Sequence, residues 1–149
     1  MKILFQNKYL LDFLAAIMFF TRIPINWQFF SNKPPNLTKA AWCFPLIGSI
    51  IGIISGIFGD ICLFFNLPIF LSCTIAITLS VIITGAFHED GLADMADGFG
   101  AGGSPAKINK IMHDSRLGTY GTVALTLGLL IRLGLVVGLV ELGLSLIHI

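Results

Sequence analysis

Charge is what this sequence has least of. Charged residues make up 11% of the 149 and hydrophobic ones 56%, whereas roughly a quarter of a soluble domain is charged. A water-soluble fold of this length has no interior large enough to hide that much apolar surface, so the ordinary soluble class is excluded. Nine basic and eight acidic residues leave a net charge of +1. With no basic patch, a nucleic-acid partner is excluded as well. Cysteine is also scarce: Cys43, Cys62 and Cys73 show neither paired nor metal-ligand spacing and read as reduced, packed thiols. Repeats and low-complexity segments are absent, and 1–149 reads as one membrane domain.

What is present is long apolar runs. Ala40 to Gly59 and Pro68 to Phe87 are each twenty residues without a charge, enough for a helix to cross a hydrocarbon core of about 30 Å. Thr119 to Val140 is a third run, interrupted only by Arg132. That charge is costly in lipid unless it snorkels or faces protein or water. Leu10 to Phe20 is shorter, contains Asp12, and follows Lys2 and Lys8. No small-residue cleavage site follows before Arg22, so an interfacial or re-entrant helix is expected rather than a removed signal peptide. The expected fold is therefore all-α, a polytopic integral membrane protein of about three transmembrane helices.

Thr21 to Lys39 carries Arg22, Lys33 and Lys39, and His88 to Gly118 carries Lys107, Lys110 and Arg116. The connection from Asp60 to Leu67 carries no basic residue, so the two basic loops are expected on the cytoplasmic side of the cell inner membrane and Asp60 on the other. Gly48, Gly52 and Gly56 recur every fourth residue of the first run, with Gly134 and Gly138 in the third. Such faces let a neighbouring helix approach closely.

Five of the eight acidic residues fall between Glu89 and Asp114. On a helix, Asp90, Asp94 and Asp97 lie within about 60° of one another, and carboxylates so placed repel unless a cation neutralises them. Oxygen donors without cysteine favour Mg²⁺, Mn²⁺ or Ca²⁺ over zinc, and Mg²⁺ is held by a few carboxylates together with substrate phosphates. Glu89 adds a further candidate oxygen donor. GFGAGGS follows at Gly98 to Ser104, where the backbone N–H groups of glycines such as Gly102 and Gly103 suit an anion. Ser104 and Pro105 form a cap and first turn for a helix to about His113, with Lys107, Lys110 and Asp114 on its polar face. His88 and His113 adjoin acids and suit a base or a group that orients a carboxylate.

HEDGLADMADG at His88–Gly98 and DSRLGTYG at Asp114–Gly121, with FFTRIP at Phe19–Pro24 and FPLIG at Phe44–Gly48 before them, resemble the cobalamin (5′-phosphate) synthase family, adenosylcobinamide-GDP ribazoletransferases. The resemblance implies a polytopic membrane enzyme of late vitamin B12 assembly that joins adenosylcobinamide-GDP to α-ribazole or its 5′-phosphate, releases GMP and needs Mg²⁺. It implies metal ions at Asp90, Asp94 and Asp97. Asp114 is expected to complete the metal shell or accept a proton, while Arg22, Lys110 and Arg116 contact phosphate. Partners implied are these small molecules and the lipid bilayer, with a homo-oligomer possible.

CDP-alcohol phosphotransferases and membrane prenyltransferases use similar acidic sites, but the former's motif fails here and the latter lack the DSRLG segment. A cation transporter would place broken helices near mid-membrane, whereas these acids are expected after a complete span. LSLIHI at Leu144–Ile149 reads either as a translated sequencing adapter, so that the natural chain continues past Gly143, or as a plain hydrophobic C-terminus.

Overall fold

A computed structural model of the chain describes residues 7–148; Lys2 and Ile149 lie outside them. Every regular element among the described residues is helical: α1 (Lys8–Phe20), α2 (Trp27–Phe30), α3 (Leu37–Ala40), α4 (Phe44–Phe64), α5 (Ile69–Thr84), α6 (Phe87–Ala101), α7 (Pro105–Met112) and α8 (Thr119–Glu141). Short 3₁₀ turns occupy Ala41–Cys43 and Leu146–His148. The all-α expectation holds.

Two stretches, Leu37–Phe64 and Thr119–Glu141, are long and apolar enough to cross a membrane, and α5 with α6 forms a third only if the pair is taken together across an 85° bend. Here the structure departs from the expected uninterrupted span at Pro68 to Phe87. α5 has sixteen residues, about 24 Å at 1.5 Å per residue, short of a hydrocarbon core. Gly85 and Ala86 then both adopt left-handed backbone, with φ of 66° and 61°. Glycine tolerates that conformation, which ends helices cleanly, and the chain leaves in a new direction as α6.

At thirteen residues α1 is too short to span, and it lies against α3 and the following 3₁₀ turn. Ala15, Ala16, Ala40, Cys43, Ile47 and Ile51 form the core there. Asp12, the acid inside the apolar run, is buried and accepts a hydrogen bond from Trp42 Nε1 at 3.2 Å. Burial of a carboxylate is tolerable only with such a donor.

α4 and α5 form an antiparallel hairpin, and α8 packs across both α5 and α6. The glycine faces are less used than expected. A Cβ at Gly48, Gly52, Gly134 or Gly138 would meet no described residue within 4 Å. Gly56 and Gly59 instead leave room for Leu146, whose N–H donates to the Asp60 carboxylate at 2.8 Å.

Candidate active site

The bend between α5 and α6 gathers the motifs. Arg22 donates its backbone N–H to the Ile83 carbonyl at 2.8 Å, and its side chain lies so close under Gly85 that a Cβ there would collide with it. Phe20 stacks on His88, the rings 6.0 Å apart and 6° from parallel, and meets Phe44 edge-on at 4.7 Å. Phe19 contacts Phe87 at 5.0 Å. FFTRIP, FPLIG and the start of the acidic helix thus meet at one elbow.

The acidic residues of α6 divide by face. Asp90 is exposed and Asp94 half-buried, and no described residue hydrogen-bonds or pairs with either carboxylate. Asp97 is buried, and its two oxygens accept the backbone N–H groups of Gly118 at 2.7 Å and Gly121 at 2.8 Å. Those are the unsatisfied amides at the start of α8, where an anion is favoured by the helix dipole. Glu89, about 100° from Asp90 around the helix, faces α8 and pairs with Arg132 at 3.5 Å. Its Oε2 is buried with no partner among the described residues.

The expected set of four metal ligands is therefore redistributed. Among the described residues no group of three His, Cys, Asp or Glu side chains is placed to hold a metal ion. Asp97 is spent on α8 and Glu89 on Arg132, which leaves Asp90 and Asp94 on successive turns of one face. Two free carboxylates fit Mg²⁺, which takes one or two such ligands and completes its shell with water and substrate phosphates.

The glycine loop is also shorter than expected. Gly98 and Gly100 lie inside α6, where they admit the side chains of Met112 and Tyr120 respectively at distances a Cβ would forbid. Only Gly102 and Gly103 form the turn, at φ of 60° and 114°, and the Lys107 side chain folds against Gly103. Ser104 caps α7 as expected, its side chain accepting the Lys107 N–H at 3.4 Å. Asp114 lies beyond the end of α7 rather than on its polar face. Its carboxylate pairs with Arg116 at 2.7 Å, a guanidinium that holds it below the usual carboxylate range. His113 Nδ1 lies 2.8 Å from the Asn109 carbonyl. Lys110 is exposed. A cleft of about 290 Å³ runs between Asp97, Asp114, Arg116 and Tyr120.

Sequence reasoning gave no site role to Arg132, which pairs with Glu89, or to Tyr120, which lines the cleft. For Arg132 the signal was available, a lone cation in an apolar run; for Tyr120 there was none.

With this geometry in place, the family of cobalamin-5-phosphate synthases is found to match residues 12–149. The chain belongs to that family. It is 43% identical over 134 residues to an adenosylcobinamide-GDP ribazoletransferase of Xanthobacter autotrophicus, covering 87% of this chain and 50% of that protein. A protein of the same name from Azorhizobium caulinodans is 40% identical over 142 residues, 93% of this chain and 53% of that one. A third, from Shewanella woodyi, is 46% identical over 121 residues, 80% of this chain and 46% of its own. The chain spans about half the length of the curated relatives it matches. No solved structure matches.

Proposed function

We propose that this chain carries the acidic centre of a membrane transferase of late cobalamin biosynthesis. The enzyme joins adenosylcobinamide-GDP to α-ribazole or α-ribazole 5′-phosphate and releases GMP, with Mg²⁺ as cofactor. The observation that carries the reading is that three of the family's separated motifs, FFTRIP, FPLIG and the start of the acidic helix, converge on one elbow, beside a pair of carboxylates with no partner among the described residues. Two like charges one turn apart on a helix face repel, and a cation shared between them relieves that repulsion.

In this reading the acceptor hydroxyl bonds to the phosphorus nearest cobinamide while the bond from that phosphorus to the bridging oxygen breaks, and GMP leaves with that oxygen. Asp90 and Asp94 would hold Mg²⁺, which when bound offsets the charge growing on the leaving phosphate. His88, its ring oriented by Phe20, is the base within this constellation. Asp114 holds Arg116 at the edge of the cleft, and Arg116, Lys110 and the Gly102 and Gly103 amides are the groups that would contact phosphate. Arg22 adds positive charge at the elbow itself. We place this end of the molecule on the cytoplasmic side, because Arg22, Lys33 and Lys39 precede α4 while Lys107, Lys110 and Arg116 precede α8.

The test uses a chain of the relatives' full length, reconstituted in lipid. GMP release from adenosylcobinamide-GDP with α-ribazole 5′-phosphate is expected to require Mg²⁺ and to fall by about 10²-fold in Asp94→Asn, the scale of losing one electrostatic contact to the transition state. A folded wild type that releases no GMP with Mg²⁺ present would reject the substrate assignment, and CDP-alcohol donors would be tried next.

A further inference from the structure

The 85° elbow between α5 and α6 has one feature that the reaction as described does not use. Arg132, midway along the apolar α8, reaches across both arms. Its guanidinium donates to Ser80 Oγ on α5 at 3.0 Å and pairs with Glu89 Oε1 on α6 at 3.5 Å. Contacts along α8 change over at this residue. Toward the C-terminus, Val136, Val137 and Val140 share a cluster with Cys73 and Ala76 of α5. Toward the N-terminus, Gly128 meets Leu92, and Gly121 meets Ala93 and Asp97, all on α6.

We propose that Arg132 is a positioning residue, a strut that fixes the angle of the elbow and thereby the placement of Asp90 and Asp94. Its planar fork of donors binds two acceptors in a fixed relation, which a single ammonium cannot do. A cation in an apolar helix is expensive unless paired, and removing one partner leaves the other charge uncompensated. The strut therefore couples the two arms strongly. Glu89 directly precedes Asp90, so any tilt of the first turn of α6 that breaks the Arg132 pair carries Asp90 with it. Arg132 contacts Ser80 and Glu89 rather than Asp90 or Asp94, and so acts on those two through the helix it holds. This role rests on the proposed assignment of Asp90 and Asp94 to the metal.

The experiment measures the elbow and the chemistry separately, in full-length protein in lipid. Spin labels at Thr78 and Met95, exposed residues on the two arms, report the angle once the three buried cysteines are changed to alanine. In Arg132→Gln the label distance is expected to shift and broaden, and the Mg²⁺ concentration for half-maximal GMP release to rise about tenfold with a smaller change in kcat. Arg132→Lys, which keeps the charge without the fork, should fall between. Ser80→Ala removes only the α5 contact and guards against a variant that fails to fold; it should broaden the distance with the charge pair intact. Unchanged distances in folded Arg132→Gln and Ser80→Ala would overturn the strut. A changed elbow with an unchanged Mg²⁺ requirement would overturn its positioning role. A changed elbow in a protein whose wild type releases no GMP would reject the transferase reading and leave the strut standing.

Discussion

Asp97 and Asp94 lie one turn apart on α6 and carry opposite obligations. Asp97 accepts two backbone amides that start α8, so converting it to asparagine turns one accepting oxygen into a donor facing another donor. A buried mismatch of that kind costs about 1–3 kcal/mol. Thermal unfolding in detergent should show Asp97→Asn melting well below wild type, while Asp94→Asn, which loses no described contact, melts with it. Equal melting of the two variants would mean that the Asp97 contacts contribute nothing. The acidic face was legible in the sequence because helical spacing alone puts Asp90, Asp94 and Asp97 together. Which of them is free was not, because the amides that claim Asp97 come from 21 and 24 residues further along the chain.

At the level of elements, apolar run length located α4 and α8 to within a few residues, since little else decides where a membrane helix can lie. It failed at the end of α5. The run from Pro68 to Phe87 is apolar throughout, and hydropathy does not register that Gly85 and Ala86 turn left-handed or that Arg22, distant in sequence, packs under Gly85. The same logic orders three glycine substitutions. Gly91 has open space where a Cβ would go, so Gly91→Ala should stabilise α6 by about 1 kcal/mol through helix propensity. Gly100→Ala would strike the Tyr120 ring and should lower the melting temperature. Gly85→Ala would meet Arg22 and also place a side chain on left-handed backbone, at about 1–2 kcal/mol for the conformation alone. Melting temperatures of the three variants in one detergent check the order Gly91→Ala, then wild type, then the other two.

For the whole molecule, α8 fully buries only Gly121, and α4 presents Ile53, Ile54, Ile57 and Phe58 outward. Surfaces this apolar match a surrounding of lipid or other helices rather than water. The orientation proposed from the flanking charges puts the acidic elbow at the cytoplasmic end. A membrane-impermeant maleimide should therefore modify Lys110→Cys only after cells are permeabilised; Cys43, Cys62 and Cys73 are buried and do not compete. Labelling of intact cells would place the elbow outside.

Arg132 follows every other residue assigned to the site, which gives the molecule an order of assembly. A ribosome has already delivered the acidic helix and the amides that tether Asp97 before the strut is made. During synthesis the elbow is therefore hinged but unlocked, and its angle is set by the insertion of α8 into the membrane rather than by the folding of α5 and α6 themselves.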